Sequence, residues 1–334
     1  MGVIKSWRLG SSTPTDATNR RSRFMNRDVI LRFLPAIVML IIIIVMGLTV
    51  EHFMTQRNVV NILRQASALG IMAIGMTAVL VTGGIDLSIP SNMAFGGILG
   101  AMYMRGGGDP VVAAIIMMVT CATVGALNGL AVARFRMIPF VVTLSMMYVM
   151  EGAAVWVTEK VSVTGLHEGF INFVIGQTLG IPHPVIMLAA VVAITWAIFH
   201  RSYWGRWLYA VGINVRTARV SGIPTRQVTF AAYVFSGLCA GIAAIIITGR
   251  LASASAVMGQ SGNVLDIVAS AVVGGVSIYG GSGSPVGAAI GAVLITLISN
   301  SMNMMQVDYY VTLVVKGIVI ITVIALDTLR KRKR

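Results

Sequence analysis

The sequence predicts an all-α polytopic membrane protein of about ten transmembrane helices with both termini in the cytoplasm, and three observations predict it. Hydrophobic residues make up 57% of the 334 and charged residues only 11%, at a mean hydropathy of +0.87. A soluble domain carries about 25% charged residues, so this chain could not cover a soluble surface of its size. The apolar residues fall in runs close to the ~20 that a membrane helix needs. The basic residues behind the net charge of +14 are sorted: 19 of the 25 Lys and Arg lie in residues 1–32, 134–137, 201–226 and 328–334. An excess of Lys and Arg marks cytoplasmic loops, and an even number of spans puts all four segments on that side.

In chain order, residues 1–32 form a polar, basic cytoplasmic tail containing Arg20, Arg21, Arg23, Arg27 and Arg32. The apolar run from Phe33 to Val50 is long for a cleaved signal and shows no small-residue cleavage site, so it reads as an uncleaved first span, 33–51. Further spans fall at 60–82, 87–105, 110–133, 138–158, 184–200, 227–249, 263–281, 285–304 and 308–327, with Gly-rich breaks blurring the ends of the second, third, eighth and ninth. The membrane domain is therefore 33–327. Residues 159–183 are too polar and broken to span and form an outer loop with one short surface helix. Residues 201–226 are a cytoplasmic segment, and 328–334 a basic cytoplasmic tail.

Catalysis finds little support. The sequence has no GxxxxGK[ST] phosphate loop, and its nearest Gly-rich run, "GGSGSPVG" at 280–287, lacks the lysine. There is no HExxH, and His52, His167, His183 and His200 stand at span ends or in the outer loop. Cys121 and Cys239 lie in apolar runs and read as buried thiols. No cofactor or metal is expected, and the chain reads as a conduit rather than an enzyme.

Charges at membrane depth mark functional sites by default and usually pair. Asp86 sits in "VTGGIDLSIPS" after an uncharged run from Gln65 to Ile85, among residues that break a helix. Its expected role is to hold the broken backbone, by accepting N–H bonds or pairing with a cation. Asp266 and Lys316 are the other intramembrane candidates; Lys316 lies eight residues into the last span, about 12 Å deep at 1.5 Å per residue. Asp266–Lys316 and Asp86–Lys316 are both open as pairs, and either a bridge that fixes packing or a transport path would explain them.

Shifted by 191 positions, "GGIDLSIPSNMAFGGILGA" lies on "GGVSIYGGSGSPVGAAIGA", so that Gly83, Gly84, Gly96 and Gly100 meet Gly274, Gly275, Gly287 and Gly291, and Ser277 meets Asp86. Two helix–break–helix units of this kind are a frequent transporter arrangement. Irregular backbone at depth is tolerated only when buried or lining a cavity. Gly83, Gly84, Asp86, Ser88, Ser91 and Asn92, with Gly274, Gly275, Ser277 and Tyr279, are thus candidates for a translocation path, Asn128 beside them. The spacings Gly96/Gly100, Gly237/Gly241 and Gly283/Gly287/Gly291 suit close packing within the bundle, with a dimer face as the other reading. In the basic segment 201–226, residues 214–221 could make two helical turns, with Asn214 as N-cap and Gly222 as the stop.

At these segments the sequence resembles the permease subunits of ribose-type bacterial ABC importers, in the branched-chain amino acid/monosaccharide permease superfamily. The resemblance rests on "GGIDLSIPS" at 83–91, "GRWLYAVGINVRTARVSGI" at 205–223 and "LDIVASAVVGGVSIYGGSGSPVGAAIGA" at 265–292, and covers about residues 30–328. It implies a type II ABC importer-like bundle in the bacterial inner membrane, carrying a monosaccharide or related polyol by alternating access. It also implies a cytoplasmic ABC ATPase, a periplasmic solute-binding protein and a second permease copy, identical or paralogous, alongside the membrane lipid. The ATPase would dock on a coupling helix in 205–223, so that Gly205, Arg206, Tyr209, Gly212, Asn214, Arg216, Ala218, Arg219, Ser221 and Gly222 become ATPase-coupling candidates. Pro90 and Ile213 stand where the family commonly has Gly, and Arg216-Thr217 where it has Glu-Ala; the reversed charge leaves open which ATPase is the partner. The competing expectations are an ion-coupled secondary transporter, with Asp86 in an ion site, and a non-transporting scaffold or channel.

Overall fold

Proline marks where many of the helices begin. A computed structural model describes residues 39–259 and 262–331, and in it five prolines occupy the first or second position of a helix, where the missing N–H costs nothing. The helices are α1 (Met39–Thr49), then α2 (Gln56–Val81), α3 (Ile89–Arg105), α4 (Pro110–Ala133), α5 (Pro139–Thr158), α6 (Glu168–Ile175), α7 (His183–Arg201), α8 (Tyr203–Ile213), α9 (Val215–Val220), α10 (Thr225–Leu251), α11 (Gly262–Val273), α12 (Pro285–Met304) and α13 (Tyr309–Lys331). A two-residue β-hairpin, β1 (Gln177–Thr178) with β2 (Ile181–Pro182), separates α6 from α7.

Among the described residues, seven segments are long and apolar enough to cross a membrane: α2, α4, α5, α7, α10, α12 and Ala256–Val273, which includes α11. Met39–Thr49 and Tyr309–Ile318 are shorter apolar stretches, and α3 is 17 residues long. The basic tail 1–32 lies outside the described residues.

The bundle is built around α2 and α10. From Gly70 to Val81 every residue of α2 is buried, as are most inward residues of α10. By contrast, α4, α5 and α7 expose large apolar side chains such as Val119, Trp156 and Ile194, as expected of surfaces that face lipid. The pair α4–α10 approaches so closely that a Cβ on Gly125 would strike the Tyr233 carbonyl oxygen, and one on Gly237 that of Cys121. The spaced glycines serve such contacts inside the chain: Gly96 and Gly100 face α4, Gly241 also faces α4, Gly291 faces α11 and Gly287 meets Gly274 just past its end. Cys121 and Cys239 are buried and free. One end of the bundle is stapled by a reciprocal amide pair, Asn58 to Asn300 at 3.2 Å and Asn300 to Asn58 at 3.0 Å.

Three expectations need correction. The eighth span does not run through 263–281: α11 stops at Val273, because Gly274 packs against α12 and Gly275 takes the left-handed conformation, φ 87°. Segment 201–226 is mostly helical, holding α8 as well as the short α9. The helix of the outer loop, α6, is more than a surface helix, since Phe170 and Val174 are buried, the latter against Gly249 of α10.

Candidate functional site

The backbone between α2 and α3 leaves the helix at Thr82, turns at Gly83 with φ 82° and re-enters at Ile89. Asp86 lies in this break and is 2% exposed. One carboxylate oxygen accepts the Ser88 N–H at 3.1 Å and the Ser88 hydroxyl at 2.7 Å; the other accepts the Ser236 hydroxyl of α10 at 2.8 Å. The Ser88 oxygen in turn accepts from Asn128 of α4 at 2.8 Å. Ile85 offers its carbonyl to Tyr233 of α10 at 3.2 Å and to Thr143 of α5 at 3.3 Å. Three helices therefore hold the break through polar side chains, and the carboxylate is satisfied by three donors. No Lys, Arg or His pairs with it among the described residues.

Further along, Asn92 donates to the Cys121 carbonyl at 3.0 Å and the Cys121 thiol donates back to the Asn92 carbonyl at 3.3 Å. Ser91 donates to the Ser88 carbonyl at 3.0 Å. Pro90 sits in the first turn of α3, where its fixed φ suits a helix start.

The second break, residues 274–284, repeats one local device of the first. Ser277 accepts the N–H of Tyr279 at 3.2 Å, two residues on, as Asp86 accepts that of Ser88. In the 191-residue shift these are the matched positions. The flanking helices are arranged differently: Gly287 and Gly291 of α12 lie on Gly274 and Ser270 of their own unit, whereas Gly96 and Gly100 of α3 lie on α4.

The two breaks touch. Gly281 N–H donates to the Val81 carbonyl at 2.9 Å, closing the end of α2. Helix α8 covers the junction. Its Gly212 leaves no room for a side chain, since a Cβ there would overlap the Val81 carbonyl and the Gly281 nitrogen. Its Tyr209 donates to the Gly283 carbonyl at 2.7 Å; partial burial pushes the phenol pKa up, so this hydroxyl remains a donor. Beyond α8, Asn214 caps α9 by accepting from Arg216 and Thr217 N–H at 2.9 and 3.0 Å, and Gly222 turns the chain with φ 80°. Ala218 is buried, while Arg216, Arg219 and Ser221 are exposed. Arg206 lies over the Tyr203 ring at 4.4 Å, and Gly205 abuts the carbonyls that end α7.

Of the proposed path residues, Asp86, Ser88, Ser91, Asn92 and Ser277 are buried and Tyr279 is exposed. Asn128 belongs to the Asp86 network. Lys316 pairs with Asp266 at 2.8 Å, joining α13 to α11, and not with Asp86. Sequence reasoning did not find Tyr233, Ser236 or Thr143, because each is a single hydroxyl flanked by residues without polar side chains, with no local pattern. At the other end of α2, a cleft of about 690 Å³ is lined by Arg57, Asn61, Arg64 and Gln177, and Arg64 reaches the Ile175 carbonyl.

Comparison with known proteins adds the following. The family described as branched-chain amino acid transport system / permease component matches residues 58–324. The chain is 38% identical over 295 residues to the ribose import permease protein RbsC of Bacillus subtilis (strain 168), covering 88% of this chain and 91% of the relative. It is 35% identical over 294 residues to the D-allose transport system permease protein AlsC of Escherichia coli (strain K12), 87% and 90% of the two chains. It is 30% identical over 304 residues to the fructose import permease protein FrcC of Rhizobium meliloti, 88% and 84% of the two chains. No solved structure matches it.

Proposed function

The chain belongs to the branched-chain amino acid transport system / permease component family, and on that premise we propose that it carries a monosaccharide or related polyol inward through the bacterial inner membrane as the permease subunit of an ABC importer. Its relatives named for ribose, allose and fructose support the substrate class. The chain is a non-catalytic multi-pass membrane subunit, so ATP hydrolysis falls to a separate cytoplasmic ATPase and delivery to a periplasmic binding protein. In this reading the ten spans leave both termini in the cytoplasm, the permease domain is 33–327, and a second copy completes the pathway.

The observation that carries the mechanism is the contact of α8 with both helix breaks, through Gly212 on Val81 and Gly281 and through Tyr209 on Gly283. A push on α9 by the ATPase would pass through α8 to the point where the two breaks meet. The breaks Gly83–Ser91 and Gly274–Gly283 then flank the path and separate or close with the ATPase cycle. With Val81 bonded to Gly281, the arrangement described above is the closed one at that level.

Reconstitution into proteoliposomes tests the reading. Uptake of one or more labelled pentoses, hexoses or polyols is expected only when the ATPase, binding protein and ATP are all present, and collapse of H⁺ and Na⁺ gradients should leave it unchanged. Uptake by the chain alone, or its loss on collapsing a gradient while ATP remains, would instead support the ion-coupled transporter.

A further inference from the structure

A pocket of about 240 Å³ opens beside the first break, at the end of the bundle where α2 and α4 finish and α10 begins. Three separate elements each place one arginine on it: Arg136 from the α4–α5 turn, Arg219 from α9 and Arg226 from the first turn of α10. Thr82, Thr225 and Thr229 add hydroxyl groups, and no carboxylate lines it. None of the three guanidinium groups forms an ion pair among the described residues. Arg136 is held in the left-handed region, φ 57°, which residues other than Gly and Asn seldom adopt.

Three exposed arginines line one small pocket, and arginine's planar fork matches phosphate oxygens. The surroundings indicate what carries that anion. Phe135, Met137 and Ile138 on the same turn, and Phe140 in the first turn of α5, are all about half exposed or more. A cationic pocket of mixed lining, bordered by outward apolar side chains, fits an amphiphile better than a free ion. Basic pockets between membrane helices on the cytoplasmic side bind anionic headgroups.

We propose that this pocket holds the phosphate of an anionic phospholipid, its acyl chains lying along Phe135, Met137, Ile138 and Phe140. Because Gly83 and Gly84 form part of the wall, the bound headgroup braces α9 against the first break. Assignment to the inner leaflet rests on the topology above; the lipid site itself does not depend on the transported substrate.

The test uses the full chain, purified in detergent and in nanodiscs of equimolar phosphatidylglycerol and phosphatidylcholine, with retained lipid measured by native mass spectrometry. Each basic residue at a bilayer surface favours anionic lipid by roughly fivefold, so enrichment of phosphatidylglycerol by about tenfold or more is expected. The Arg136→Gln/Arg219→Gln/Arg226→Gln variant should lose the enrichment. A control that removes the same charge elsewhere, Arg57→Gln/Arg105→Gln/Lys160→Gln, should keep it. Unfolding midpoints show whether each variant is folded; if the triple variant is not, the three single substitutions should each reduce enrichment partially. Equal retention of both lipids by the native chain, or equal loss in the control, overturns the proposal. Displacement of the lipid by soluble glycerol phosphate at comparable concentration would make this a free-phosphate site. Retained lipid with lost ATPase binding would assign the arginines to the ATPase's carboxylates.

Discussion

Asp86 shows how a buried carboxylate can serve structure without a counter-ion. It accepts two hydrogen bonds from Ser88 and one from Ser236, and each buried donor left without an acceptor costs about 1–3 kcal/mol. Asp86→Asn keeps one oxygen for Ser88 and turns an amide toward the Ser236 oxygen, which can accept. This variant should fold and retain much of its uptake. Asp86→Leu strands all three donors and should lose both folded yield and uptake, as measured by fluorescence-detected size exclusion and transport; full uptake by the leucine variant would refute the bracing role. The residue-scale legibility is uneven. Asp86 was visible in the sequence because a charge stands out against an apolar run. Ser236 and Tyr233 were not, because hydroxyls are tolerated singly in membrane helices and only the fold reveals what they face. The pairing of Lys316 was undecided for the same reason: depth can be counted along a helix, but its neighbour across the bundle cannot.

At the scale of elements, α8 is the part the sequence hid. Its basic, Gly-punctuated composition resembles a loop, and its helical form goes with burying Leu208 and Val211 as α8 packs on α7, α10 and α2. α9 was legible because its signals are local, an Asn cap and a Gly stop. The contact surface of α8 yields a prediction. Gly212→Ala inserts a methyl group where the Val81 carbonyl and Gly281 amide already meet, and should abolish uptake while destabilising the chain. Tyr209→Phe removes one hydrogen bond, worth about 0.5–1.5 kcal/mol, so it should unfold only slightly earlier. If α8 transmits the ATPase stroke, this variant should still bind the ATPase and hydrolyse ATP, with a lower ratio of sugar carried to ATP consumed. An unchanged ratio would show that the contact is only packing. The second break was foreshadowed in part: the shifted alignment brings Ser277 onto Asp86, and both accept the N–H two residues on. The way α3 and α12 then pack could not be read from it, because glycine spacing marks a close face without naming the helix on it.

For the molecule as a whole, the class was plain from composition, since so few charges cannot solvate so large a chain. Among the described residues seven segments meet the length and hydropathy required of a span, and the shorter α3 needs its neighbours: beside the Asp86 break its polar start is held by α4 and α10. Surface chemistry divides accordingly. α4, α5 and α7 turn large apolar residues outward, while in the interior Asp86, Ser88, Asn128 and Ser236 bond to one another. Such division predicts that charge placed outward at mid-span, for example Val119→Asp, lowers membrane insertion by about 2.5–3.5 kcal/mol, measurable as reduced yield in the membrane fraction. The same change at an exposed loop position such as Leu179 should be neutral.

The hydrogen bond from Gly281 to the Val81 carbonyl has a consequence for biosynthesis. Its partners are two hundred positions apart, as the numbers 81 and 281 show. At 5–20 residues per second, a ribosome needs about 10–40 s to make that stretch. For that interval the newly inserted α2 ends in an open carbonyl, and the groove that α8 will fill is unlined on one side. A nascent chain halted before residue 281 should therefore be a substrate for membrane proteases, and one released just after α12 should resist them.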